Sequence, residues 1–330
     1  MTQDILSLDE GYSTTRLLTQ EKPEIINTPE DKFETVLFLP EGENRKGEGG
    51  LRTKGYFKKS FDDKPLISII TVVFNGEKYL EETIQSVINQ TYSNVEYIII
   101  DGGSSDGTLD IIKKYEERID YWVSEKDRGM YDAVAKGFSL LSGNYIGYIN
   151  AGDYYHKEAL SVVFEVFKKQ NVSWLTGQRV LYNSRSQVIN SDVPSRYRKN
   201  FILSGIYGSI MPYIQQESTF WKKEVLKTVN LNYFRKLKLS GDYYLWFSFA
   251  SEYELFIVNS YLGGFKYHEN QLSSSIKEYH NEKNKYTKKI FFIYYPFILI
   301  DAIIWFLPTK IKQKICKNFI NYNKEKDIWE

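Results

Sequence analysis

Polar and charged positions dominate the first 64 residues, and the glycine- and charge-rich stretch at 40–50 (PEGENRKGEGG) reads as part of an extension ahead of the main domain. The pattern changes at Pro65. From Leu66 the run LISIITVVF is almost unbroken in apolar and β-branched residues and ends at Asn75, as expected of a strand buried on both faces of a parallel sheet. Over 78–89, Leu80, Ile84, Val87 and Ile88 recur at helical spacing, and 95–100 is a second apolar strand ending at Asp101. A second helical pattern follows through Leu109, Ile111, Ile112 and Tyr115, then a short strand at 121–123, a helix over about 131–141 and a strand at 145–150 that runs into Ala151-Gly-Asp153.

Alternation of this kind predicts an α/β fold with a mostly parallel sheet flanked by helices. Polar motifs recur where strands end, and ligands of open α/β sheets bind at those carboxyl ends, so Asn75, Asp101 and Asp153 are placed to share one cleft. Beyond Lys169 the pattern is less regular, with strands expected near 174–181 and 254–257 and a helix over about 241–251. Residues 290–307 are almost wholly apolar apart from Asp301 and Pro296, and lie between Lys288-Lys289 and a stretch carrying Lys310, Lys312, Lys314 and Lys317. The organisation expected is an extension at 1–64, a main domain at 65–285 divided near 155 into two halves (65–155 and 156–285), and an apolar and basic helical segment at 286–330.

Charge narrows the ligands. Lys and Arg total 43 against 42 Asp and Glu, so no overall field draws in nucleic acid, and a charged ligand needs a local site. The single cysteine, Cys316, excludes an intramolecular disulfide framework or a cysteine-cluster zinc site. With no basic start and no sustained apolar run near Met1, the expected compartment is the cytoplasm. The 27 Tyr and 20 Phe are either strand formers or, in part, faces on which sugar rings stack.

After the second strand, Asp101-Gly-Gly-Ser-Ser-Asp106-Gly-Thr combines a carboxylate at the sheet edge with glycines that let a base and ribose approach the backbone. Asp106 and Ser105 also suit a turn and helix cap, a role compatible with ligand binding. Asp153, directly after a buried strand, is either a turn residue or an oxygen ligand for a divalent ion bridging two phosphates. Asp242 opens the aromatic-rich helix 241–251, where it is either a carboxylate favoured by the helix dipole or a general base.

Taken together, LISIITVVFNGEKYLEETIQSVINQTYSNVEYIIIDGGSSDGT, then SEKDRGMYDAVAKG, then NYIGYINAGD resemble the family 2 glycosyltransferases of glycosyltransferase-A fold over about 65–268. The resemblance implies an inverting transfer from a nucleotide-sugar donor to a saccharide or lipid-linked saccharide acceptor, in bacterial surface polysaccharide synthesis (O-antigen, capsule or exopolysaccharide). It implies donor contacts from Phe74, Asn75, Glu77, Asp101, Asp127, Arg128, Asn150 and Asp153, Mg²⁺ or Mn²⁺ as cofactor at Asp153, and Asp242 as base before its Leu245-Trp246 pair. Gln216, Glu217 and Trp221 correspond to an acceptor segment, and His268, followed by Gln271, to one returning to the diphosphate, where imidazole ligates metal or phosphate or is merely structural. Two departures stand out: Asn150 replaces the first acid of the Asp-x-Asp metal motif, and Ala135 replaces the Asn of Asp-Ala-x-Asn-Lys-Gly.

Asn150 keeps a second reading open, a non-catalytic nucleotide-sugar-binding or scaffold protein, which donor hydrolysis would separate from an enzyme. A dinucleotide-dependent oxidoreductase is disfavoured, because the first strand-helix turn reads Asn75-Gly-Glu-Lys78 with no Gly-x-Gly-x-x-Gly. The apolar segment admits a packed helix, a membrane span or an interfacial helix. The interfacial reading is preferred, since Asp301 at a bilayer centre would cost about 2.5–3.5 kcal/mol and lysines on both flanks favour anionic headgroups. It places the protein peripherally at the inner face of the cytoplasmic membrane, in contact through 290–317.

Overall fold

A computed structural model describes residues 5–25, 27, 34–42, 44–169, 171–267, 275–289 and 291–330. The chain divides into two compact units, one of residues 1–161 and 222–238, the other of 162–221 and 239–330.

In the first unit, strand β1 (Gly47–Gly49) comes from the amino-terminal segment, and β2 (Ile67–Val73), α1 (Leu80–Ile88), β3 (Val95–Asp101), α2 (Thr108–Lys114), β4 (Tyr121–Ser124), α3 (Met130–Phe138) and β5 (Tyr145–Asn150) follow in order. The sheet order is β5-β2-β3-β4-β1. The four later strands run parallel, and β1 closes the edge antiparallel to β4. Every residue of β2 and β3 is buried, which is why those runs lack polar alternation. Helix α1 turns Leu80, Ile84, Val87 and Ile88 inward, and its opening Glu81 and Glu82 suit the positive end of the helix. The charge-rich segment before Pro65 thus supplies a strand as well as a cover, which its composition alone does not announce.

Within that cover, Arg52 is buried against Glu96 of β3 (2.5 Å) and donates to the Leu140 carbonyl (3.0 Å) and the Leu37 carbonyl (2.9 Å). Burial alone would raise the Glu96 carboxyl, but the Arg52 charge and hydrogen bonds from Ser142 and Ser68 hold it below the usual range.

The second unit includes β6 (Trp174–Thr176), β7 (Arg179–Tyr182), β8 (Val188–Asp192), β9 (Thr219–Lys222), α4 (Gly241–Phe249), β10 (Leu255–Val258), β11 (Gly263–Lys266), α5 (Ile276–Lys283), α6 (Tyr295–Trp305), α7 (Thr309–Ile315) and β12 (Phe319–Ile320). Here β6 lies between β9, antiparallel, and β10, parallel, with β12 beyond. Strand β7 instead pairs with β8 and β11. The apolar run expected as one strand over 174–181 therefore breaks at Gly177-Gln178. The Gly177 amide donates to the Ser218 carbonyl and Gln178 to the Ser260 carbonyl, and a Cβ at 177 would meet the Ser260 carbonyl oxygen at 2.8 Å. Helix α4 is buried nearly all round, with Trp246 and Phe249 packed on Trp174.

Candidate active site

Register sets the first group of site residues. Val73 of β2 stands opposite Asp101 of β3, Val72 opposite Asn150 of β5, and Asp101 opposite Ser124 of β4, so the polar strand ends form one row at the carboxyl edge. The loops after β2 and β3 are then tied by their own side chains. The Asn75 amide donates to Ser104 Oγ (2.7 Å), and Asn75 Oδ1 accepts from the Ser105 amide (2.9 Å). The Glu77 amide donates to Asp106 Oδ2 (3.1 Å), and Glu77 Oε2 accepts from the Gly107 amide (3.1 Å). Asn75 adopts φ 51°, a left-handed conformation that Asn tolerates better than most residues. Asn75 and Glu77 thus tie the loop after β2 to the loop after β3.

Asp101 is buried, and its carboxylate accepts from the Ser104 amide (3.0 Å), Ser124 Oγ (2.5 Å) and Ser104 Oγ. Those bonds fix the loop that follows, in which Gly103 has φ 84°. A Cβ on Gly102 would lie 2.5 Å from Asp127 Oδ2 and 3.4 Å from the Phe74 ring, so glycine at 102 lets Asp127 and Phe74 converge. Phe74 is 66% exposed although apolar. Asp127 accepts from the Gly129 amide (2.7 Å); burial raises its carboxyl, only partly offset by that bond and by Lys136. Arg128 is bidentate to Asp132, at 3.2 and 3.0 Å, and its side chain stays exposed.

Asp153 is buried beside Asn150, to whose carbonyl its amide donates (3.1 Å). Thr83 of α1 locks this turn, accepting from the Gly152 amide (2.9 Å) and donating to the Asp153 carbonyl (2.7 Å). Among the described residues no group of three or more His, Cys, Asp or Glu is arranged to hold a metal ion.

Within the second unit, Asp242 lies in the first turn of α4 and is half-buried. The Tyr279 hydroxyl donates to its Oδ1 (3.4 Å), and the Tyr213 and Tyr279 rings meet edge to face with centroids 5.8 Å apart. Residues of α5 hold this helix start. Glu282 Oε2 accepts from the Leu239 and Ser240 amides, both at 2.8 Å, and from Ser240 Oγ (3.0 Å), satisfying donors at the positive end of α4. The adjacent Lys283 is fully buried and donates to the Gly205 carbonyl (2.8 Å), the Tyr207 carbonyl (3.3 Å) and Ser209 Oγ (2.5 Å). Burial lowers its ammonium to about 8, while the Asp242 charge acts in the opposite direction. Tyr279, Glu282 and Lys283 carry no sequence signal, because α5 bears no motif and its partners are distant in the chain.

Gln216 and Glu217 are buried in a short turn before β9. Trp221 belongs to the core of its unit, its ring against Trp246 and Phe249, so it supports its neighbours from beneath. His268 and Gln271 lie outside the described residues.

Residues 68–230 match the model of glycosyl transferase family 2. The chain is a family 2 glycosyltransferase. It is 24% identical, over 76% of its own length and 96% of the relative's, to the UDP-Glc:α-D-GlcNAc-diphosphoundecaprenol β-1,3-glucosyltransferase WfgD of Escherichia coli. Its fold is similar to that of Staphylococcus aureus TarS 1–349 in complex with UDP-GlcNAc, with TM-score 0.52 and 15% identity over 76% of this chain and 70% of that one. It is likewise similar to the mannosyltransferase PcManGT of Pyrobaculum calidifontis in complex with GDP-Man and Mn²⁺, with TM-score 0.52 and 13% identity over 73% of this chain and 70% of that one. The glycosyltransferase therefore has the glycosyltransferase-A fold expected from its motifs, and a purely binding or scaffold role is disfavoured.

Proposed function

We propose that this glycosyltransferase moves a sugar, with inversion, from a nucleotide-sugar onto a saccharide or lipid-linked saccharide acceptor in bacterial cell-surface polysaccharide synthesis. The observation that carries the donor site is the row of strand ends in which Gly102 lets Phe74 and Asp127 converge beside Asp101. Asp101 and the Asn75–Glu77 turn grip the nucleotide, and Asp127 and Arg128 stand by the sugar. WfgD's named acceptor, a polyprenyl diphosphate-linked sugar, supports the lipid-linked class for this chain.

A divalent cation fits Asp153 on the chemistry of its donors. A buried carboxylate, with an Asn side chain three residues before it, is an oxygen donor set of the kind that would hold Mg²⁺ or Mn²⁺, and the Mn²⁺ of the mannosyltransferase complex supports the same class. When bound, such an ion would supply positive charge against the leaving diphosphate. Asp242 takes the proton of the acceptor hydroxyl as it attacks the anomeric carbon from the face opposite the diphosphate. Tyr213 and Tyr279 offer aromatic surface to the acceptor sugar, with Gln216 and Glu217 as further acceptor contacts and Trp221 as core support. The reaction belongs at the inner face of the cytoplasmic membrane, where a lipid-linked acceptor is reached from a soluble donor pool.

Hydrolysis of a nucleotide-sugar panel, with and without EDTA, tests the donor half in the native protein and in Asp153→Ala. The expected result is turnover of one donor that both EDTA and the substitution abolish. Turnover unaffected by either removes the metal from Asp153.

A further inference from the structure

Nearly half of the large apolar side chains that stand exposed among the described residues fall within 291–315. Helix α6 explains why. Its inward stripe is Ile298, Asp301, Ile304 and Trp305, while Tyr295, Leu299, Ile303 and, just past its end, Phe306 recur outward at three- and four-residue spacing. Leu299 is 64% exposed and Phe306 86%. An ordinary surface helix does the reverse, turning apolar residues in and charge out.

The charge of Asp301 is met on the protein side. Arg198 is bidentate to it, at 2.5 and 2.8 Å, and Arg196 approaches to 3.2 Å. The same inner face is pinned by Trp305, whose indole N–H donates to Asp192 (2.9 Å), and by Lys312, whose ammonium donates to the Val193 carbonyl (2.6 Å). Asp301 is the one acid between 286 and 317, so the exposed charges there, Lys288, Lys289, Lys310, Lys314 and Lys317, are all positive. In α7, Lys310 and Lys314 directly precede the exposed Ile311 and Ile315. Among the described residues no helix is long and apolar enough to cross a membrane.

We propose that α6, α7 and the preceding residues 291–294 form a surface that seats on an anionic lipid bilayer. The outward apolar stripe enters the headgroup and acyl boundary, and the lysines meet lipid phosphates. Asp301, turned away and neutralised by its arginines, imposes no penalty on that insertion.

The test is cosedimentation of the full chain with vesicles of phosphatidylcholine alone and of phosphatidylcholine with phosphatidylglycerol. Binding to the anionic vesicles is expected, weakened roughly tenfold or more by Leu299→Gln/Ile303→Gln/Phe306→Gln and weakened by salt or by Lys310→Gln/Lys314→Gln. These side chains are exposed and far in sequence from the donor motifs, so an unchanged circular dichroism spectrum and unchanged nucleotide binding check that the variants fold. Equal partition onto both vesicle types, or onto neither, overturns the proposal. So does a dimer of the native protein that the apolar triple variant dissociates while neither form binds vesicles, since the face would then be covered by a second copy.

Discussion

Asp242 has one carboxylate oxygen near the Tyr279 hydroxyl and an ammonium, Lys283, close enough to interact with its charge. In the general-base role proposed for it, Asp242 would need its carboxylate form for transfer but not for nucleotide binding. Asp242→Asn is therefore expected to lower kcat by about 10²–10⁴-fold while leaving nucleotide affinity, measured by calorimetry, within about twofold of the native protein. Turnover near the native rate would remove Asp242 from that role. The sequence singles out Asp242 through its place before Leu245-Trp246. It is silent on Glu282, Lys283 and Tyr279, because a helix with no motif betrays nothing about partners some 40 residues away.

The strand-end loops and α5 illustrate how elements, rather than single residues, build the site. Asn75, Glu77, Asp101 and Asp106 stand out in the sequence as polar punctuation after apolar strands, yet their bonds to one another come from the register that sets β2 beside β3. On α5, the fully buried Lys283 makes stability depend on pH. Burial lowers its ammonium from the ordinary 10.5 to about 8, so between those values the unfolded chain binds more protons than the folded one. Stability should accordingly rise with pH through that window, by on the order of 2 kcal/mol. Lys283→Met should lack that rise. Urea unfolding of both proteins from pH 7.5 to 10 measures it, and parallel profiles would show that Lys283 titrates normally in the folded state.

For the whole molecule, the amino-terminal segment is bound to the first unit by charge as well as by β1. Arg52→Met leaves Glu96 buried without its cation and is expected to cost about 3–5 kcal/mol in chemical denaturation, whereas adding Glu96→Gln should recover part of that loss. Losses that simply add would show that the two side chains do not act as a pair. Hydrophobic periodicity alone determined the order of strands and helices from β2 to β5, because strands buried on both faces must be continuously apolar and their ends must carry the polar turns. The linked motifs likewise determined the family and the candidate donor residues. Tertiary structure decided the rest: that the charged segment before Pro65 supplies a strand, that the run at 174–181 divides between sheets, that Trp221 is core, and that Asp301 faces two arginines while apolar side chains face out. Each of these depends on a partner distant in the chain, and local composition reports a residue's own preference for water or oil without naming what it will meet.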